Sequence, residues 1–174
     1  MGQYFKFVNP VKRQYIDPFY FGENIKASGV LQGYHAIAIA VLVCKLDEVQ
    51  HDFGELAGSW YGHPIIVAGD DNGMADAYGV KTSTADNPER NLNSMAEEEF
   101  EDITYRSIAM LCEGREGFAE EIAKYSKDNF DTLRLMFLGN VVFQVGCRPL
   151  EEALEKVYGH DWVKEFKQAT EEHR

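Results

Sequence analysis

What the chain lacks most plainly is positive charge. Its 174 residues carry 17 Lys and Arg against 29 Asp and Glu, a formal net charge of −12. A protein that grips nucleic acid neutralises phosphates with a basic face, so general nucleic-acid binding is not expected. The same shortage disfavours an anionic membrane surface. Three readings of the acidity remain: a basic protein partner, bound divalent cations, or solubility alone.

Cysteine is scarce too. Cys44, Cys112 and Cys147 are widely spaced and odd in number, without Cys-x-x-Cys or the Cys/His spacing of a zinc site. Buried free thiols in a reducing compartment are expected, each inert because no nearby His makes a thiolate. The longest apolar run, Ala36 to Cys44, spans nine residues; a membrane-crossing helix needs about twenty. The start Met1-Gly2-Gln3-Tyr4-Phe5-Lys6 has no apolar signal core. It opens like a myristoylation site, yet Lys6 stands where Ser or Thr belongs. A cytoplasmic location and no membrane partner follow as expectations. No Gly-x-Ser-x-Gly, Walker or Rossmann fingerprint is present, nor any repeat or linker. Residues 1–174 therefore read as a single domain.

What is present suffices for a core, at 45% hydrophobic and 13% aromatic residues. Tyr4 to Val8, the turn signal Asn9-Pro10 and Arg13 to Ile16 predict a hairpin closed by Asp17-Pro18. An aromatic loop, Phe19 to Gly22, follows. Residues 34–50 fit a strand by alternation, but their length and alanines favour a helix. Ile65 to Ala68 reads as a short buried strand ending in a Gly/Asp turn, and residues 79–93 as a long polar loop.

Ser94 with Glu97 predicts a capping box that starts a helix, ended by Gly114, with Phe100, Ile103, Ser107 and Met110 or Leu111 facing inward. In that reading Glu97, Glu98, Glu99, Glu101 and Asp102 sit near its positive N-terminal end. A further helix carries Phe118, Ile122 and Tyr125 on one face. Residues 132–145 suggest a second hairpin about Gly139-Asn140, with a helix over 131–138 as the competing reading. Pro149 and Gly159 bracket a helix at 149–158, and a last one over 160–172 aligns Trp162, Phe166 and Ala169. The expectation is an α+β single domain: a mostly antiparallel sheet from the two hairpins, packed against about five helices.

For chemistry, the sharpest feature is Gly69-Asp70-Asp71-Asn72-Gly73 after the buried strand, with Asp76 beyond it. Carboxylates there are candidate ligands for Mg²⁺, Mn²⁺ or Ca²⁺: Asp70, Asp71 and Asp76, helped by Asn72. Metallophosphoesterases also place Gly-Asp at a strand end, but no Asp-x-His precedes it, and Val141 follows Asn140 where a His is required. No glutamate completes an EF-hand. The plain alternative is a polar turn. Trp60 and His63 precede the strand and are candidates to line a ligand site with Asp70 and Asp71. His51 and Glu55 form a second, incomplete pair on one helical face. The acidic run Glu97 to Asp102 also suggests a nucleic-acid mimic that occupies basic grooves.

Met1-Gly2-Gln3-Tyr4-Phe5-x-x-Val8-Asn9 and Tyr15, then Trp60-x-Gly62, Ile65 to Ala68 and Gly69-Asp70, carry a resemblance. The chain resembles a family of uncharacterised bacterial and phage proteins that begin Met-Gly-Gln-Tyr-Tyr and carry Trp-x-Gly before an apolar strand and Gly-Asp-Tyr. Asp71 departs from the pattern at the final aromatic. The resemblance covers the N-terminal part, to about residue 75; it implies a phage or bacterial origin, marks Trp60 and Asp70, and supplies no activity. Two functions stand as expectations: a non-catalytic accessory protein that binds a host or bacterial protein or a small ligand, or a metal-dependent hydrolase or nucleotide-handling enzyme centred on Asp70, Asp71, Asp76 and His63. A homodimer through an apolar helix face is compatible with either.

Overall fold

Among the described residues, every strand falls between Phe5 and Asp102, and the regular elements after that are helical. A computed structural model of the chain describes residues 4–18, 33–45, 52–69, 80–82, 84–87, 90–128 and 132–172. The aromatic loop expected at 19–22 lies outside them, as do parts of the loop at 79–93. The Cα positions gather into two compact units, Met1–Cys44 with Ser59–Thr104, and Lys45–Gly58 with Tyr105–Arg174. The described residues form an α+β structure. No helix among them is long and apolar enough to cross a membrane.

In the first unit, β1 (Phe5–Asn9) and β2 (Gln14–Ile16) pair antiparallel with Phe7 opposite Ile16 and Asn9 opposite Gln14. Asn9 closes the expected turn. Its Oδ1 accepts from the Val11 and Lys12 N–H groups at 3.1 and 3.0 Å, the side chain replacing a backbone acceptor. β3 (Ile66–Gly69), one residue offset from the expected strand, adds antiparallel to the other side of β1. β4 (Glu101–Asp102) joins β2 in parallel, giving the order β3-β1-β2-β4. The sheet is therefore mixed: two of its three pairings are antiparallel, as expected, and the short β2–β4 pairing is parallel.

Period-two alternation sorts the side chains between two faces. Val8, Tyr15, Ile66 and Ala68 turn to one face, where Leu92, Met95 and Ala96 of α2 (Leu92–Glu99) and the following Phe100 complete a core cluster. Phe7 belongs to the other face and stacks on His35 of α1 (Tyr34–Val43), ring centroids 5.5 Å apart. The helical reading of this segment holds; it stops at Cys44, whose N–H bonds to the Ala40 carbonyl.

The long helix expected from Ser94 to Gly114 is two helices. Asn91, three residues earlier, is the cap: its side chain accepts from Ser94 N–H at 2.9 Å while Ser94 Oγ accepts from Asn91 N–H at 3.3 Å. Ser94 thus supplies the far half of the capping box, not the cap. The helix breaks at Phe100 because β2 competes for the backbone. Glu101 N–H donates to the Arg13 carbonyl at 2.9 Å and Ile103 N–H to the Tyr15 carbonyl at 3.0 Å. Helix resumes as α3 (Thr104–Gly114), with Thr104 N–H held by Asp102 Oδ1 at 2.8 Å.

In the second unit α4 (Phe118–Asp128) buries Phe118, Ala119, Ile122, Ala123 and Ser126. Tyr125, expected inward, is exposed, with the Arg134 guanidinium 4.4 Å from its ring centroid. The buried stripe runs i, i+4, i+8 from Phe118, which turns Tyr125 away. The second hairpin is absent. α5 (Thr132–Asn140) runs on into a π-helical turn, Val141–Val145, which ends at Gly146 in the left-handed region, φ 84°. Gly139 is there for contact rather than for a hairpin turn: a Cβ on it would lie 2.1 Å from Phe166 Cδ2. α6 (Arg148–Tyr158) starts with Pro149 in its first turn and stops at Gly159, φ 86°, as the bracketing residues require. α7 (Trp162–Glu172) buries Trp162 and Ala169. Among the described residues there are seven α-helices where about five were expected; the split helix and the lost hairpin account for the difference.

Candidate functional site

Two polar clusters occupy the two faces of the sheet. The first is built on Lys6. Alternation puts its side chain on the same face as Val8, beneath α2, and it is only 6% exposed. Its ammonium donates to Asn93 Oδ1 at 2.9 Å and to the Glu97 carboxylate, and lies 3.6 Å from Asp17 Oδ2. An ammonium has three donors, and three acceptors meet it. Asn93 in turn donates to the Ala68 carbonyl at 3.1 Å. The cluster therefore ties β1, β3 and α2 together.

Tyr15 and Asp102 extend it. Asp102 takes hydrogen bonds from Tyr15 and Thr104, and Thr104 Oγ1 accepts the Asp17 N–H at 2.9 Å. Burial first, and then the Asp102 carboxylate, push the Tyr15 phenol above its ordinary range. A raised folded-state pKa stabilises while the phenol is protonated in both states, and that share is lost as pH climbs past the unfolded value of about 10. Tyr15→Phe is accordingly expected to cost about 1 kcal/mol at neutral pH through the lost hydrogen bond. It should also flatten the fall in melting temperature above that pH. Parallel alkaline melting series on both proteins check this; identical alkaline slopes would contradict it.

The second cluster lies on the opposite face, where Asn9 and Gln14 pair at the turn end of the hairpin. Trp60, fully buried, donates its indole N–H to Gln14 Oε1 at 2.9 Å, and its backbone N–H bonds the Leu42 carbonyl at 2.9 Å. His63 Nδ1 is 3.3 Å from Asn9 Nδ2. The structure thus brings the candidates Trp60 and His63 together, but with Asn9 and Gln14, which their spacing did not signal. Asp70, Asp71 and Asp76 lie outside the described residues, as does His51; Glu55 is exposed. Gly69, just before Asp70, ends β3 opposite Phe5, whereas His63 sits by Asn9 at the other end of that pairing. Among the described residues no group of three or more His, Cys, Asp or Glu side chains is placed to hold a metal ion.

Lys6 and Asn93 were missed in the sequence. The signal was there: a lysine in Phe5-Lys6-Phe7-Val8 occupies an inward position of the alternation.

The acidic run needs a correction. Glu97, Glu98 and Glu99 occupy the last turn of α2, not a first turn. Carboxylates at a helix C-terminus face its negative end, so capping and the helix dipole do not explain them. Cations gather against them instead. Arg90 pairs with Glu98 at 2.7 Å and with Glu99, and Arg13 with Glu99 at 2.7 Å. Hydrogen bonds from Arg90, then Arg13, hold the Glu99 carboxyl below its ordinary range. Glu101 and Asp102 continue the run along the exposed edge strand β4. Three cations, Lys6, Arg13 and Arg90, thus stand against five carboxylates.

Comparison with protein-family models, with curated proteins and with solved structures finds no match.

Proposed function

We propose that the protein is a non-catalytic binding protein, an accessory factor of phage or bacterial type, whose partner is a basic protein. The observation that carries this reading is the placement of Glu97 to Asp102. Three of these carboxylates end a helix whose dipole disfavours them, and two lie on an exposed sheet edge. Such a cost is understandable where the outward field itself is used, since a surface of one sign steers and orients a partner of the other. The net charge of −12 points the same way. The opening Met1-Gly2-Gln3-Tyr4-Phe5 pattern supports the phage or bacterial assignment.

The test is charge reversal. Glu98→Lys with Glu101→Lys, both at exposed positions, is expected to weaken binding of a lysine-rich peptide about tenfold, some 1.4 kcal/mol. Glu98 pairs with Arg90, whose side chain is only 9% exposed, so the reversal should also lower the melting temperature; Glu98→Gln with Glu101→Gln, which removes the charges without reversing them, should weaken binding with a smaller loss of stability. Titration by fluorescence anisotropy at low salt reads the affinity. Equal binding by wild type and variant, or no binding by either, would overturn the proposal.

A further inference from the structure

Two tight turns meet at one end of the sheet. Asn9 to Arg13 links β1 to β2, and Trp60 to His63 precedes β3; both belong to the first unit. The second turn is closed by the His63 N–H, which donates to the Trp60 carbonyl at 3.0 Å, with Gly62 at φ 74° as such a turn requires. Asn9 pins the two turns together. Its Oδ1 accepts the Val11 and Lys12 N–H groups, and its Nδ2 lies 3.3 Å from His63 Nδ1.

That arrangement fixes the chemistry of the imidazole. A backbone N–H can only donate, so the Asn9 amide atom that meets two of them is the oxygen. The atom facing His63 is therefore the NH₂ group, a donor. His63 Nδ1 accepts from it, and the neutral ring carries its proton on Nε2. The ring is half-buried, and among the described residues nothing takes that Nε2–H. A histidine that binds a metal through Nε2 needs the opposite arrangement, with Nδ1–H donating to an acceptor. His63 is thus set up to donate a hydrogen bond, not to ligate a metal through Nε2.

We propose that the paired turns form a binding site for an organic carboxylate, an anionic head on an apolar body. The His63 Nε2–H and the Lys12 ammonium supply the donors for the head. Lys12 is exposed and has no ion pair among the described residues, in a chain whose acidic residues outnumber its basic ones 29 to 17. Its flexible stem lets the ammonium reach an anion beside the imidazole, and a hydrogen bond between ions is stronger than a neutral one. Val11 and Tyr61, 60% and 55% exposed within the two turns, supply the apolar walls. Trp60 is not a wall; it is fully buried and holds the second turn to Gln14. The site uses none of the carboxylates from Glu97 to Asp102, so it stands or falls separately from the basic partner.

The experiment uses the full chain, labelled with nitrogen-15, at a pH above the ordinary histidine titration range. Ring-nitrogen NMR is expected to place the His63 proton on Nε2. Benzoate is then titrated in, with inorganic phosphate in a parallel series. The expected result is a saturable benzoate shift of the His63 ring and of the Lys12 and Tyr61 amides, and a weaker response to phosphate, which has no apolar body. Lys12→Met, at an exposed turn position, should leave the fold intact and weaken benzoate binding about tenfold, the loss of one charge-assisted hydrogen bond. Asn9→Asp keeps an oxygen for the two turn N–H groups but offers His63 an acceptor. The ring proton should then move to Nδ1, and the benzoate response should vanish. Loss of that response without movement of the proton would mean plain charge repulsion and overturn the proposal. So would a wild-type proton on Nδ1, no saturable shift with benzoate, phosphate bound more tightly than benzoate, or equal benzoate binding by Lys12→Met.

Discussion

Trp60→Ala is expected to destabilise the protein by about 3–5 kcal/mol, the cost of emptying a site filled by a large aromatic side chain. In a chain of this size that is a fall in melting temperature on the order of ten degrees. The expectation rests on three features. Trp60 is fully buried, its indole N–H is engaged by Gln14, and its backbone anchors the end of α1 through Leu42. Trp60→Phe, which keeps most of the apolar area and loses the indole donor, should cost far less, about 1 kcal/mol for the hydrogen bond plus a smaller packing term. Thermal melts of the two variants check the pair. Little loss in Trp60→Ala would mean that the residue is not core and would return it to the ligand-site reading.

Gly139→Ala is the second large effect, about 1–3 kcal/mol of destabilisation from overpacking. Alanine is the better helix former by up to about 1 kcal/mol, which offsets part of the clash. The added Cβ meets Phe166 atoms at 2.1, 2.4 and 2.8 Å. The room for the ring to swing away is narrowed by Phe143, tilted against it with centroids 5.1 Å apart, and by Trp162 at 6.5 Å. Phe166→Leu in the same chain should recover part of the loss, so that the double variant is more stable than the sum of the singles predicts. Strict additivity in denaturant melts would show that Gly139 and Phe166 do not touch.

Local chemistry made much of this fold legible. Asn9-Pro10 gave the hairpin turn, and Pro149 and Gly159 gave the bounds of α6, because each acts through its own backbone. Two errors came from partners distant in sequence. Gly139-Asn140 between β-forming residues carries a hairpin signal, but the close approach of Phe166 uses the same glycine inside a helix. The helix expected from Ser94 was cut because β2 offers carbonyls at Arg13 and Tyr15 that a window around residue 100 does not contain. That cut also moved the acidic run from a helix start to a helix end, and so reversed its electrostatic meaning.

The site divided the same way. Trp60 and His63 were singled out for standing beside an apolar strand, and they do meet, but on Asn9 and Gln14 from the hairpin, a pairing only the sheet register creates. The sequence marks Lys6 only as a break in a myristoylation pattern. Its role as the centre of a buried network depends on α2 arriving from the middle of the chain with Asn93 and Glu97.

The binding reading and the metal-enzyme reading predict opposite behaviour in a single measurement: thermal unfolding with a lysine-rich peptide in one series and with Mg²⁺, Mn²⁺ or Ca²⁺ in another, Asp70→Ala beside wild type. A ligand of the folded state adds about 2.7 kcal/mol at a hundredfold excess over its Kd, several degrees here. The account predicts a rise with the peptide that shrinks as salt is added, equal in both proteins, and no rise with the cations. A cation-dependent rise in wild type that Asp70→Ala abolishes, with no response to the peptide, would contradict it.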